Sequence, residues 1–407
     1  MKKYCIIEML LAVVVTIPTL TAQDDIFRKI TIPQIDLAGE TKRQIIVDQE
    51  DGQYLGHVTA VLLDDGKTIL TVYPKGHAAG QIVYKKSSDG GLTWSERLKT
   101  PDNWATGKDV PCLMRLIDKQ GKQRIMLFSG RLSGLSMYGR YSLSEDDGET
   151  WQPLENIGYW GDTCIADAMP IDIPTNGNSA VSVTGFDCQM IPDSLRNRSG
   201  KYLTVFGNFG AVVGKPCYIW TSETEDGGVS WSYPKVIWEG KEMNPTEAGL
   251  VRSPDGKQIT ALWRDTRQQN NSQIMFSNDE GKTWTQPRPV PLAQCGERHT
   301  IRYLKDGRLF ISFRCRHHLS DTTLWHGDWG AWIGTYDDLA NGTEGQYRIR
   351  LMDNLDGGDC AYPGVVVLPD GTVVAITYGT WEQGKQKYIM AVRLHPDEID
   401  KKVKETK

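Results

Sequence analysis

Short apolar, β-branched runs alternate along the chain with turn-forming dipeptides, and no long stretch carries a 3.6-residue period. Val58–Leu63 and Thr68–Val72 flank Asp65-Gly66, and Val365–Leu368 and Val373–Ile376 flank Asp370-Gly371. Asp255-Gly256 and Asp306-Gly307 lie in the same setting. An Asp-Gly pair between two β-branched runs marks a hairpin, because its turn needs residues that tolerate positive φ. The pattern predicts an all-β chain built from repeated hairpins.

A second repeat interlocks with the first. The octapeptide S/T-x-D-x-G-x-S/T-W occurs four times, at Ser87 to Trp94, Ser144 to Trp151, Thr224 to Trp231 and Ser277 to Trp284. The Asp can bind turn amides, the Gly permits a positive φ, and the Trp can fill the gap between neighbouring sheets. A period of this length points to radial repetition. The two repeats together predict units near 55–105, 108–160, 163–240, 245–295, 298–350 and 358–395. The third is long enough to hold an insertion or a degenerate extra unit. Gln44–Val47 is predicted to close the ring against the last unit.

Composition refines this picture at three points. Forty-one glycines and thirteen tryptophans among 407 residues suit many short strands and tight turns, and a net charge of −5 argues against nucleic acid or an anionic membrane as partner. Lys2, Lys3 and the apolar run Ile6–Pro18 resemble a cleavable leader, giving a signal peptide at 1–22, an extension at 23–42, one propeller domain at 43–399 and a charged tail at 400–407. Such a chain is secreted or periplasmic, and no lipid-anchor cysteine stands at the cleavage point. Of eight cysteines, Cys5 falls in the leader and none of the rest has metal-ligand spacing. They read as small buried hydrophobes.

Candidate chemistry comes from the repeat register. Eight positions before each turn Asp stand His57, Glu247, Arg298 and Tyr362, with His299 one residue further on. His77, Arg131, Arg264, Arg314 and Tyr378 fall at or just past the ends of the second strands, and Lys75, Arg140 and Asn244 lie nearby. In a propeller both sets should reach one mouth of the central channel. Several arginines around one concavity suit a carboxylate, sulfate or phosphate ligand. Trp325, Trp329 and Trp332 lie beside His317, His318 and His326, where they suit either sugar stacking or a structural loop.

The octapeptide is the Asp-box (BNR repeat), and from about residue 43 to 395 the chain resembles sialidase-like propellers. Asp359-Cys-Ala-Tyr362 resembles the sialidase tyrosine nucleophile segment, and Asn244-Pro-Thr-Glu247 with Arg264 resembles its glutamate and one triad arginine. Two departures are clear. Gly56-His57-Val58 replaces the opening arginine motif, and Pro74–Gly80 lacks the acid/base aspartate. Both point away from sialic acid hydrolysis. Gly56-His57, Tyr73–His77 and Gly345–Asp353 resemble a narrower family of secreted propellers acting on rhamnose-α-1,4-glucuronate caps of plant arabinogalactan. That resemblance implies seven blades, with six as the alternative. It also implies β-elimination by a lyase, with α-L-rhamnosidase hydrolysis or non-catalytic glycan binding as alternatives.

The expected catalytic set is His57, His77, Tyr362 and Arg140. Lys75, Arg131, Glu247, Arg264, Arg298, His299, Arg314 and Tyr378 are expected to bind an acidic, uronate-containing plant glycan. Gln49 aligns with a catalytic histidine that the rhamnosidases carry on the opposite face. No cofactor is required, although a structural divalent cation such as calcium could brace the channel. The expected working form is a monomer.

Overall fold

The computed structural model describes residues 25–77, 80–133, 136–157, 200–207, 216–316 and 325–405, leaving aside the side chains of 108–109 and 131–138. The leader therefore lies outside the described residues, as do Cys164, Cys188 and the long interval 158–199. No helix among the described residues is long and apolar enough to cross a membrane.

Among the described residues, six sheets form the blades of a β-propeller. Their inner strands are Thr59–Leu62, Lys108–Ile117, Tyr202–Gly207, Pro245–Arg252, Glu297–Tyr303 and Gly364–Val367. Each pairs antiparallel with the strand that follows its hairpin turn. The count corrects the expected seven. The turn repeats account for six units; the seventh rested on the narrower family resemblance and on the length of the third unit, whose residues 158–199 lie outside the described residues.

Gln44–Asp48 pairs antiparallel with Tyr388–Leu394 of blade 6, so an early segment closes the ring as predicted. Asp48 then ties this closing strand to blade 1, accepting from Tyr73 Oη at 2.6 Å and Arg97 Nε at 2.7 Å. The two flanking segments are more integrated than expected. Gln34–Asp36 joins blade 5 as a parallel strand beside Tyr347–Met352. The supposed tail continues a helix, Pro396–Glu405, that buries Ile399 and Val403 and bonds Asp400 to Arg308 at 2.9 Å.

All four octapeptides fold alike. In blade 1, Ser87 Oγ donates to Asp89 Oδ1 at 2.8 Å, while Gly91 N donates back to Ser87 Oγ at 2.8 Å and Thr93 N to Asp89 at 2.9 Å. Ser144/Asp146, Thr224/Asp226 and Ser277/Asp279 repeat this pattern. The tryptophans reach the preceding blade: Trp151 meets Tyr84 at 5.7 Å and Trp231 meets Phe128 at 6.1 Å between ring centroids. Gly148 has no room for a side chain, since a Cβ would lie 2.4 Å from the Tyr84 hydroxyl. The described cysteines, 112, 217, 295, 315 and 360, are buried, as small hydrophobes should be.

Trp231 is 3 % exposed and joins blades 2 and 3 in one apolar cluster. Trp231→Ala should therefore destabilise the protein by about 3–5 kcal/mol, the usual cost of emptying a buried indole site. Chemical denaturation followed by circular dichroism would measure it, and a loss below about 1 kcal/mol would mean the blades do not depend on this plug.

Candidate active site at the funnel mouth

Three of the inner strands carry, within two residues of their start, a non-glycine residue in the left-handed region: His57 (φ 56°), Glu247 (φ 55°) and Arg298 (φ 60°). In blade 6 the same conformation falls on Ala361 (φ 55°), one position ahead of Tyr362. The kinks coincide with register slips between Thr246 and Gly249 and between Glu297 and Thr300. Such backbone costs on the order of 1 kcal/mol or more per residue and tends to persist at functional sites. Here its result is convergence, because His57, Glu247, Arg298 and Tyr362 all meet.

Tyr362 stands at the centre. Its hydroxyl donates to Glu247 Oε1 and accepts from Arg264 Nη1 at 3.2 Å. The guanidinium groups of Arg298 and Arg314 lie 5.1 and 5.6 Å from its ring centroid. Arg264 also pairs with Glu247 at 2.8 Å and with Glu297 at 3.1 Å. Glu297 further takes Arg314 at 2.8 Å and Arg316 at 3.4 Å. Burial alone would raise the Glu247 carboxyl, but Arg264 and Arg298 bring it down to about 2, so it is ionised. Burial, with the Glu247 charge behind it, pushes the Tyr362 phenol far above its usual range.

Beside this pair sits a second group. His57 is buried, with its ring centroid 4.5 Å from Tyr362, 4.6 Å from His77 and 4.9 Å from Tyr378. His77 is exposed at the rim, and its Nδ1 lies 3.2 Å from Asp359 Oδ2 and 3.0 Å from the Tyr54 hydroxyl. Asp359 accepts from Tyr54 at 2.5 Å and from Tyr378 at 2.7 Å. These bonds, with that from His77, hold its carboxyl well below the usual range even though burial works the other way. One ligand atom each from His57, His77 and Asp359 lies within 4.8 Å of the others. A divalent cation could be shared there, but His77 and Asp359 already engage each other.

The structure thus gathers His57, His77, Tyr362, Glu247, Arg264, Arg298, Arg314 and Tyr378. Other expected residues sit elsewhere. Arg140 is buried and donates to the Gly130 carbonyl at 2.8 Å and to Thr106 Oγ1 and O at 3.0 and 2.8 Å, which braces a loop. His299 points behind the site, with Nε2 3.2 Å from the Gln294 carbonyl and its ring against Phe313. Lys75 pairs with Glu50 at 2.8 Å on the rim. The Arg131 side chain, His317 and His318 lie outside the described residues.

Gln49 is not on an opposite face. It follows Asp48, which pairs with Ile389, itself the partner of Tyr378, so Gln49 lies at the same end as the funnel. Trp329 and Trp332 are fully buried and bond Ser312 Oγ and the Glu344 carbonyl, a structural role.

Tyr54, Asp359, Glu297 and Arg316 were missed as site residues. Only Asp359 and Glu297 carried a signal, as carboxylates adjoining the Tyr362 segment and Arg298. With them present the guanidinium groups are largely paired: among the described residues, three carboxylates stand with four arginines.

No protein-family model matches the chain, and no curated protein matches it in sequence. Solved structures do match in shape. A protein of unknown function from Dyadobacter fermentans aligns with TM-score 0.62 at 19 % identity, covering 87 % of this chain and 98 % of that one. The α-L-arabinofuranosidase Arb93A of Fusarium graminearum, bound to an iminosugar inhibitor, aligns with TM-score 0.61 at 12 % identity over 88 % and 99 %. A leech intramolecular trans-sialidase aligns with TM-score 0.59 at 14 % identity over 88 % and 70 %. The likeness is one of fold, which the chain shares with these structures.

Burial holds the imidazoles of His57 at about 3 and His299 at about 4, both below the free value of about 6.5. As pH falls from about 6.5 towards 4, the unfolded chain takes up protons that the native sites refuse. Native stability must therefore decrease across that window. His57→Gln should flatten the fall by about 1.4 kcal/mol per pH unit, the full slope of one such group. Denaturant unfolding at a series of pH values measures it, and an unchanged slope would mean that His57 is not held neutral.

Proposed function

We propose that this protein is a carbohydrate-active enzyme that cleaves a glycosidic bond at an acidic sugar, with Tyr362 as nucleophile. The observation that carries the reading is the Tyr362 hydroxyl bonded to a buried, ionised Glu247 within a ring of arginines. A phenol held so far from ionisation must lose its proton as it attacks, and Glu247 is the acceptor in place. In the first step the Tyr362 oxygen bonds the anomeric carbon, Glu247 takes the phenolic proton, and His77 protonates the departing glycosidic oxygen. In the second, water attacks that carbon and gives a proton to His77, while Glu247 returns its own to Tyr362. Asp359 orients the His77 ring, and the guanidinium groups of Arg298 and Arg314 suit the sugar's acidic group.

Cleavage by β-elimination at a rhamnose-glucuronate linkage is the second reading. It is favoured by the imidazole that stands where a carboxylic acid serves in sialidases, with a second imidazole 4.6 Å away. In that reaction an arginine neutralises the uronate carboxylate, and His or Tyr removes the C5 proton. Rhamnosidase-type hydrolysis would act on the same linkage. The leader expected at 1–22 would put either activity outside the cytoplasm.

Rhamnose-capped arabinogalactan and a panel of uronosides and sialosides should be followed both for new reducing ends and for the ultraviolet absorbance of an unsaturated uronate. Reducing ends without that absorbance are expected. Tyr362→Phe and His77→Ala should each lower turnover at least ~100-fold. The His77→Ala loss should shrink on aryl glycosides whose leaving group needs no proton. Accumulating unsaturated uronate would transfer the assignment to the lyase reading, and binding without turnover would leave a glycan-binding propeller.

A further inference from the structure

At the far end of the axis from Tyr362, the inner strands of blades 1, 2, 4, 5 and 6 line an open cavity of about 630 Å³. Its wall is mostly aliphatic, yet four cations reach it and no Asp or Glu does. Arg115 and Arg252 are neutralised from outside, by Asp64 at 2.6 Å and Glu280 at 2.9 Å. Arg302 and Lys305 are not. Arg302 donates to the carbonyls of Val365 at 3.0 Å and Ile301 at 2.9 Å, and Lys305 donates to the Pro369 carbonyl. Among the described residues, no carboxylate makes an ion pair with either.

Arg302 is half-buried, and a cation that meets only neutral acceptors there has given up part of its hydration without gaining a counter-charge. Burial accordingly presses the Arg302 guanidinium down to about 10, which still leaves it protonated at neutral pH. A separate chamber of about 40 Å³, lined by Arg298 and Arg302, lies between the cavity and the catalytic mouth. It has room for about one water or small ion and not for a sugar. The cavity is therefore a compartment of its own, within the usual range of roughly 300–1,000 Å³ for small-ligand sites.

We propose that this rear cavity binds an anionic group, a sulfate, phosphate or carboxylate on a small ligand, with Arg302 as its counter-charge. The aliphatic wall suits the carbon skeleton of a sugar or similar body, and the cations select its acidic substituent. The site is independent of the chemistry at Tyr362.

Calorimetric titration tests this with sodium sulfate, glucose 6-sulfate and uncharged glucose as probes. A Tyr362→Phe/Arg314→Gln variant serves to disable the front site. Saturable binding of the charged probes, and not of glucose, is expected in wild type and in that variant. Arg302→Gln should weaken it about tenfold, the scale of one charge-assisted hydrogen bond, and Arg302→Lys should restore part of it. Equal affinity for the two charged probes would identify a free oxyanion as sufficient, and tighter binding of the sugar sulfate would identify an anionic sugar. Absence of saturable binding overturns the proposal, as does binding lost in the front-site variant and unchanged in Arg302→Gln. Should Arg302→Gln fail to fold, Val366→Trp fills the cavity and spares the guanidinium, and binding that survives it is equally contradictory.

Discussion

Glu297, a carboxylate 1 % exposed on the propeller axis, fixes the arginines on which the funnel is built. It takes Arg264 on one oxygen and Arg314 and Arg316 on the other. Removing such a charge from water costs several kcal/mol unless partners surround it. Here Arg314 and Arg264 outweigh burial and keep the carboxyl below its usual range. Arg264 then carries the order outward, to Glu247 and through it to the Tyr362 hydroxyl. The nucleophile candidate is thus positioned through one unbroken chain of charge-assisted contacts. Two of the arginines that surround the site are committed to holding it together.

The acid/base side is built differently. Asp359 accepts from two tyrosine hydroxyls and lies against His77 at once, so its charge is held chiefly by hydroxyls and an imidazole rather than by a buried arginine. Arg314 approaches only to 3.6 Å. In the proposed reading, an imidazole oriented in this way stands where the sialidase pattern carries an aspartate, and His57 where that pattern carries an arginine. Both exchanges occur on one hairpin and alter the same side of the pocket, opposite Glu247. The tyrosine–glutamate half remains.

Much of the fold was legible in the sequence because its repeats are local. Each Asp-Gly hairpin and each octapeptide closes through hydrogen bonds within a few residues, so the unit boundaries and the closing strand at Gln44 could be read directly. What the repeats do not encode is how blades fill the ring, and the count of seven failed there. The site was half legible for the same reason. Positions sharing a strand register, such as His57, Glu247 and Arg298, announced themselves. Arg140 and His299 only neighboured that register, and one turned to Gly130 and Thr106 and the other behind Phe313, choices made by packing. Tyr54 and Asp359 lie outside the register and meet His77 only through tertiary closure.

The central claim is a bond to Tyr362. The most direct measurement is intact mass after incubation with 2-fluoro uronosyl and sialosyl fluorides, which slow the second displacement, followed by peptide mapping. The account predicts an increment of one sugar on the peptide containing Tyr362, absent in Tyr362→Phe. Turnover of a natural glycan with no adduct on that peptide would contradict it.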